Sequence, residues 1–161
     1  MQVNYTIAEE PDAPSAEKGR MLFAGETTFV KGVVAMDGLP PPDRMEVCFA
    51  GRSNEEHSLV DLPGYGYANA PLPVVEKWQR LLKQYLSGRQ TLRRAFVLID
   101  ARHGVKKVDN EIMSLLDSSA VTFQVVLTKA DKVKEAEREK ILTQVKDALS
   151  KHPAAYPEIV V

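Results

Sequence analysis

Cysteine is nearly absent: Cys48 is the only one in 161 residues. No disulfide can form within the chain, which fits a reducing compartment. Long apolar runs are absent too, none approaching the ~20 residues of a membrane-spanning helix. The first twenty residues lack a basic start and an apolar stretch, so they do not read as a secretory signal. Their acidic residues Glu9, Glu10 and Asp12 speak against a transit peptide. Neither sign of charge prevails: 21 Lys and Arg face 22 Asp and Glu, for a net charge of -1. That excludes a strongly cationic nucleic-acid binder or a polybasic membrane protein, though not a local basic face. Against these absences stand 44% hydrophobic and 27% charged residues, ordinary for a globular domain. A chain of this size buries roughly two thirds of its unfolded surface and needs no metal or disulfide to hold a core. The expectation is one cytoplasmic domain over residues 1–161.

Along the chain, residues 1–20 are polar, carry Pro11 and Pro14, and read as a loose lead-in. Phe23, Phe29, Val30, Val33 and Val34 are spaced to cover a core edge. The Gly38-Leu39-Pro40-Pro41-Pro42-Asp43 stretch is a stiff connector. Short apolar runs follow at Met45–Ala50, Ser58–Asp61, Ala95–Asp100, Phe123–Thr128 and Glu158–Val161. The runs at 95–100 and 123–128 are continuous, as in strands buried on both faces. Between the runs lie helical stripes. Val75, Trp78, Leu82, Tyr85 and Leu86 share one, and Ile112, Leu115 and Leu116 another, with Asp109 placed to cap it. Arg138, Ile141, Leu142, Val145, Ala148 and Leu149 fall at helical spacing in a third. Strand–helix alternation of this kind predicts an α/β fold, a mostly parallel sheet with helices on both faces.

Ligands of such sheets sit where strands end at their carboxyl edge. After the strand at 58–61 comes Asp61-Leu62-Pro63-Gly64. A carboxylate there can reach the water shell of a Mg²⁺ ion, and the glycine N–H can approach a γ-phosphate. Alone, D-x-x-G has about even odds of arising by composition and is equally a turn. After the strand at 123–128 comes Thr128-Lys129-Ala130-Asp131, the [N/T]-K-x-D pattern. Its aspartate can accept both the ring N–H and the exocyclic amine of guanine, a pair adenine does not offer. The lysine stem can lie over the base. By composition such a match arises in about one chain in twenty. A charged loop in which Asp131 only caps a helix is the plain alternative. Order, separation and strand-end placement of the two motifs together fit a guanine-nucleotide site.

Longer phrases carry a resemblance. Gly51-Arg52-Ser53-Asn54, VDLPGYGYA at 60–68, EKWQ at 76–79, LIDARHG at 98–104 and VLTKAD at 126–131 closely resemble the bacterial EngB/YihA GTP-binding proteins. FAGETTFVKG and LPPPDRMEVCFAGRSN look like the alphaproteobacterial branch. The resemblance covers residues 20 to 161 and implies a Ras-like P-loop GTPase domain that binds GTP or GDP with Mg²⁺. It also implies a monomeric cytoplasmic switch in assembly of the large (50S) ribosomal subunit, linked to cell division and septation. Its partners would be ribosomal RNA and proteins, not DNA or membrane. Carried over, Gly51, Arg52, Ser53 and Asn54 match the opening of the phosphate loop. Asp61, Leu62, Pro63 and Gly64 match the γ-phosphate switch, with Asp61 reaching Mg²⁺ through water. Thr128, Lys129, Ala130 and Asp131 match the guanine reader. No catalytic residue is assigned.

The pattern breaks after Asn54. The family continues GRSN with VGKSS, whereas here Glu55-Glu56-His57-Ser58 follows, and no G-x-x-x-x-G-K-[ST] occurs anywhere. The Walker lysine, the Mg²⁺-binding serine, the first helix, the switch threonine and the second strand are all missing. Strands at 45–50 and 58–61 should lie parallel and adjacent, which takes a crossover of about a dozen residues or more. An antiparallel hairpin would fit the short connection but would turn Asp61 away from Thr128–Asp131. The expectation is a segment of several tens of residues missing between Asn54 and Glu55, from loops that do not hold a shape without phosphate and Mg²⁺. A final helix is likewise expected to be missing after Val161. Tyr65 stands where Ras-like enzymes carry a water-orienting glutamine, which implies slow intrinsic hydrolysis.

Cys48 reads as a small core residue. His57, His103 and His152 show no metal spacing. Tyr65 and Tyr67 could stack on an RNA base or simply pack in a loop. Arg89, Arg93 and Arg94 beside Lys83 form a modest basic patch or a solvated helix end. Two other readings stay open: a nucleotide-free or pseudo-GTPase module acting by protein contact, and a flavodoxin-like receiver or flavin domain. The second leaves both strand-end motifs unexplained.

Overall fold

A computed structural model describes residues 3–24, 32–33, 35–42, 45–51, 60–61 and 72–161. In chain order these form strand β1 (Thr6–Ile7), helix α1 (Ala13–Ala24), β2 (Glu46–Gly51), β3 (Val60–Asp61) and α2 (Leu72–Gly88). Strand β4 (Leu92–Asp100), α3 (Lys107–Ser118), β5 (Phe123–Thr128), α4 (Glu135–Leu149) and β6 (Glu158–Ile159) follow. Single 3₁₀ turns lie at Met36–Gly38 and Ala130–Lys132.

Four strands pair in the order β3-β2-β4-β5, every neighbour parallel. Parallel bridges Phe123↔Ala155 and Val126↔Val160 bring the chain around β6 alongside β5. Strand β1 then pairs in parallel with β6, Thr6 opposite Glu158 and Ile7 opposite Ile159. The α/β parallel sheet expected from strand–helix alternation is therefore present.

Helices α2, α3 and α4 each carry the chain onward in the same direction across the sheet. Right-handed crossovers place helices of that kind on one face. Burial agrees. Cys48, Ala50, Ala95, Val97, Ile99, Val125 and Leu127 share a face by register and are all buried, in one core with Leu82, Leu86, Met113, Leu116, Val145 and Leu149. The alternate residues Val47, Phe49, Phe96, Leu98 and Val126 are half-buried. Phe49 and Phe96 stack there with centroids 5.3 Å apart. Strand β4 was expected to be buried on both faces; the structure buries one face fully and the other in part.

The helices start and stop for local reasons. Asp12 Oδ1 accepts the Ser15 N–H at 2.9 Å and caps α1, with Pro14 in the first turn where its missing N–H costs nothing. Helix α3 begins two residues before Asp109, which sits in its first turn and accepts the Lys106 N–H at 2.7 Å. That is the carboxylate half of a capping box.

One expectation changes and another holds. Residues 3–20 are not a loose lead-in. Tyr5 is buried and donates its hydroxyl to the Leu149 carbonyl at 2.9 Å, β1 pairs with β6, and α1 follows. Strands β2 and β3 are parallel, Cys48 opposite Val60 and Phe49 opposite Asp61, although only residues 52–59 connect them. The hairpin that would have fitted this short link is not adopted. The Asn54–Glu55 junction, His57, Phe29, Val30, Val34 and the Trp78 side chain lie outside what the structure describes.

Candidate nucleotide site

Because β2, β3, β4 and β5 all run the same way, their last residues Gly51, Asp61, Asp100 and Thr128 emerge at one edge of the sheet. Strand spacing of ~4.8 Å sets β3 and β5 roughly 14 Å apart across the sheet, and by register Asp61 lies level with Gln124, four residues short of Thr128. This is the edge at which open α/β sheets bind ligands.

Of the residues matched to a phosphate loop, Gly51 closes β2 opposite Leu98, and Arg52, Ser53 and Asn54 lie outside the described residues. Asp61 closes β3; its side chain, and all of Leu62, Pro63 and Gly64, lie outside them as well. Tyr65 and Tyr67 are in the same position. The Thr128–Asp131 loop is described in full.

Thr128 ends β5 opposite Asp100, and its hydroxyl donates to the Ile99 carbonyl at 3.4 Å. The Ala101 N–H donates to the Thr128 carbonyl at 2.9 Å, so the loops after β4 and β5 are laced together. Lys129 turns the chain with φ +59° and ψ +29°. A non-glycine residue in the left-handed region costs roughly 1–2 kcal/mol, strain of the kind that gathers at ligand-binding turns. Ala130 and Asp131 open the 3₁₀ turn that follows. The Asp131 carboxylate is 68% exposed and contacts Lys132 Nζ at 2.9 Å. Lys132 lowers its pKa, so it is an ionised acceptor at neutral pH, as amidine-type recognition of a base requires.

Asp100 carries the densest polar contacts at this edge. Its Oδ1 accepts the Arg102 N–H at 3.0 Å and Arg102 Nε at 2.9 Å. Its Oδ2 accepts Arg102 Nη2 at 2.7 Å and Lys129 Nζ at 3.3 Å. The Asp100 carbonyl takes the His103 and Gly104 N–H groups at 3.0 and 3.1 Å. The Arg102 hydrogen bonds, helped by Lys129, hold the Asp100 carboxyl far below the usual carboxylate range against some desolvation. Neither Asp100 nor Arg102 was among the sequence-derived site residues. The available signal was an acidic residue ending a strand that is in register with the strand before Thr128–Asp131.

Among the described residues, no three His, Cys, Asp or Glu side chains gather in a group able to hold a metal ion. A Mg²⁺ ion bound chiefly through phosphates and water needs only one or two protein carboxylates.

No family model matches the chain. Among curated proteins it is 67% identical to the "Probable GTP-binding protein EngB" of Roseobacter denitrificans, over all of this chain and 91% of that protein. It is 66% identical to the protein of that name from Ruegeria sp., over 99% of this chain and 90% of the other. The first alignment runs over 196 residues against 161 here, so about 35 positions have no counterpart in this chain. Among solved structures, a probable GTP-binding protein engB superposes with a TM-score of 0.51 at 18% identity, over 67% of this chain and 81% of that one. The elongation factor SelB of Methanococcus maripaludis, apo form, gives 0.54 at 17% identity, over 73% of this chain and 30% of that one. These superpositions show that the chain shares the fold of those two proteins.

Proposed function

The chain belongs to the EngB family of GTP-binding proteins, and on that footing we propose that it reads guanine nucleotides at the edge formed by Gly51, Asp61, Asp100 and Thr128. The observation that carries this is the Thr128-Lys129-Ala130-Asp131 loop at the carboxyl end of β5, with Asp131 ionised and open to a ligand. Thr128 braces the loop, the Lys129 stem covers the base, and Asp131 accepts the two guanine donors. Gly51, Arg52, Ser53 and Asn54 are the start of the phosphate-binding turn. Leu62, Pro63 and Gly64 follow Asp61 as the γ-phosphate sensor, and Asp61 meets Mg²⁺ through water. GTP and GDP are the ligands and Mg²⁺ the cofactor.

The encoded protein in this reading is a slow GTPase switch acting in the cytoplasm on the large ribosomal subunit or its precursor, with the connection to cell division that the family resemblance implies. Two facts support a missing segment between Asn54 and Glu55. About 35 aligned positions lack a counterpart here. And β2 and β3 are parallel with only eight residues between Gly51 and Val60, too few for the usual crossover helix. The 161-residue chain, without a Walker lysine, binds phosphates weakly and hydrolyses GTP poorly.

The test is exchange of the base. Asp131→Asn should reduce GDP binding at least tenfold and raise binding of xanthosine diphosphate, since the amide donates where the carboxylate accepted. The measurement is best made with about 35 residues restored after Asn54, alongside the 161-residue chain. Unchanged nucleotide preference in both would reject the guanine site. Binding by neither would favour the module that acts by protein contact alone.

A further inference from the structure

The one full-length cationic side chain in the Thr128–Asp131 loop is Lys129, and it is held by a group outside that loop. Its ammonium lies 3.3 Å from Asp100 Oδ2, on the neighbouring strand end. The same carboxylate is fixed from its other side by Arg102 through its backbone N–H, Nε and Nη2. The carboxylate cannot rotate away without giving up the turn that ends β4. Lys129 is 43% exposed and has four rotatable bonds. Freed from Asp100, it could reach toward the Asp131 carboxylate two residues on, which at present contacts Lys132 instead.

We infer that Asp100, clamped by Arg102, is a positioning residue for base recognition. It anchors the Lys129 ammonium so that the stem lies across the base plane and Asp131 stays available to accept the base. The inference rests on the guanine reading above and deepens it. Asp100 does not touch the nucleotide; it acts through Lys129. An ordinary surface ion pair of this exposure contributes almost nothing to stability, and nothing at all to ligand affinity.

The experiment is a double-mutant cycle read by ligand-observed NMR titration, which measures millimolar affinities on the 161-residue chain. GDP and ADP are the probes, and Asp100→Asn, Lys129→Met and the double variant are compared with the parent. Asn keeps the Oδ1 acceptor for the Arg102 N–H, so the turn is retained, and thermal unfolding of each variant checks this. The expected result is a three- to tenfold loss of GDP affinity for Asp100→Asn, a similar or larger loss for Lys129→Met, and under twofold further loss when both are combined. ADP binding should change less than twofold throughout. If Asp100→Asn leaves GDP affinity unchanged, or costs as much in the Lys129→Met background as in the parent, Asp100 is not acting through Lys129 and the inference falls while the guanine site stands. If the parent binds GDP no better than ADP, the guanine reading falls and takes the inference with it. Should Asp100→Asn unfold, Lys129→Met with Arg102→Met gives the same cycle from the other side of the carboxylate.

Discussion

His152 Nδ1 lies 2.6 Å from Asp117 Oδ2, and the other oxygen of that carboxylate accepts the Ala154 N–H at 2.9 Å. Asp117 is in the last turn of α3, where the helix dipole disfavours an anion. What keeps it there is the loop between α4 and β6. One side chain thus ties α3 to the segment that leads the chain back alongside β5, and His152, buried, meets Phe123 edge-on with centroids 6.2 Å apart. Asp117→Ala should cost about 2–3 kcal/mol, since it strands a half-buried backbone N–H and the nitrogen of a buried imidazole. Asp117→Asn, which keeps one acceptor, should cost about 1 kcal/mol. Urea unfolding curves check the ranking; equal losses for the two would mean that Ala154 does not depend on residue 117.

Gly104 is the second fixed point. It has φ +61° and closes the turn after β4 by donating to the Asp100 carbonyl. A Cβ at this position would clash with Gln144 Oε1 on α4. The clash involves the tip of a flexible side chain and can relax; the backbone strain cannot. Gly104→Ala should therefore cost about 1–2 kcal/mol, and Gln144→Ala in the same chain should recover less than half of it. Full recovery would show that the contact, not the conformation, excludes a side chain.

Much of this architecture could be seen in the residues. Phe123–Thr128 is a β-branched and aromatic run flanked by turns, and it is a strand to the residue. Leu82 and Leu86 on α2, and Ile112 and Leu116 on α3, repeat at helical spacing because one stripe of each faces the core. Strand β1 was invisible for the opposite reason. Its two residues pair with a strand some 150 positions away, and no local period marks such a contact. Helix α1 was missed because its described residues are almost all exposed, leaving no stripe. Strand β4 runs three residues further back than its apolar run, to Leu92, because Arg94 is accommodated over the Tyr156 ring at 4.1 Å and bonded to Gln124. In the site, the Thr128–Asp131 motif was legible as a spacing. The part played by Asp100 was not, because its link to Lys129 crosses between strands and appears only once β4 and β5 are in register.

Cys48 tests the core directly. It is fully buried on β2, and burial, with the nearby Glu46 charge, pushes its thiol up to about 12. The thiolate is the reactive form, so native protein at pH 8 should react with a disulfide reagent at least a hundredfold more slowly than in 6 M urea. Cys48→Ser should cost about 2 kcal/mol because its hydroxyl finds no partner there, and Cys48→Ala less. Rapid labelling of native protein would show that β2 opens far more readily than its burial implies.

Glu46 gives the stability a pH dependence of known sign. Its carboxylate, at the start of β2, accepts the Tyr85 hydroxyl at 2.9 Å and the Arg89 guanidinium at 2.9 Å through Nε, with Nη2 in contact as well. Burial alone would raise its pKa, but the hydrogen bonds and charge of Arg89, with Tyr85, outweigh that and hold it below the ordinary value. Between the folded and unfolded pKa values the unfolded chain binds more protons, so stability rises with pH there. The contribution is complete above the unfolded value of about 4.3 and is lost as pH falls through the lower folded value. Asp100, lowered by Arg102, adds in the same direction further into acid. Arg89→Met removes the Arg89 hydrogen bonds and charge but leaves the burial and the Tyr85 hydroxyl, so the Glu46 pKa should rise and its ionised form should favour folding less. The variant should cost about 2 kcal/mol at pH 7 and clearly less at pH 4, measured as urea midpoints at both pH values. A penalty that is the same at both would mean that Arg89 contributes through packing of its stem and not through the Glu46 charge.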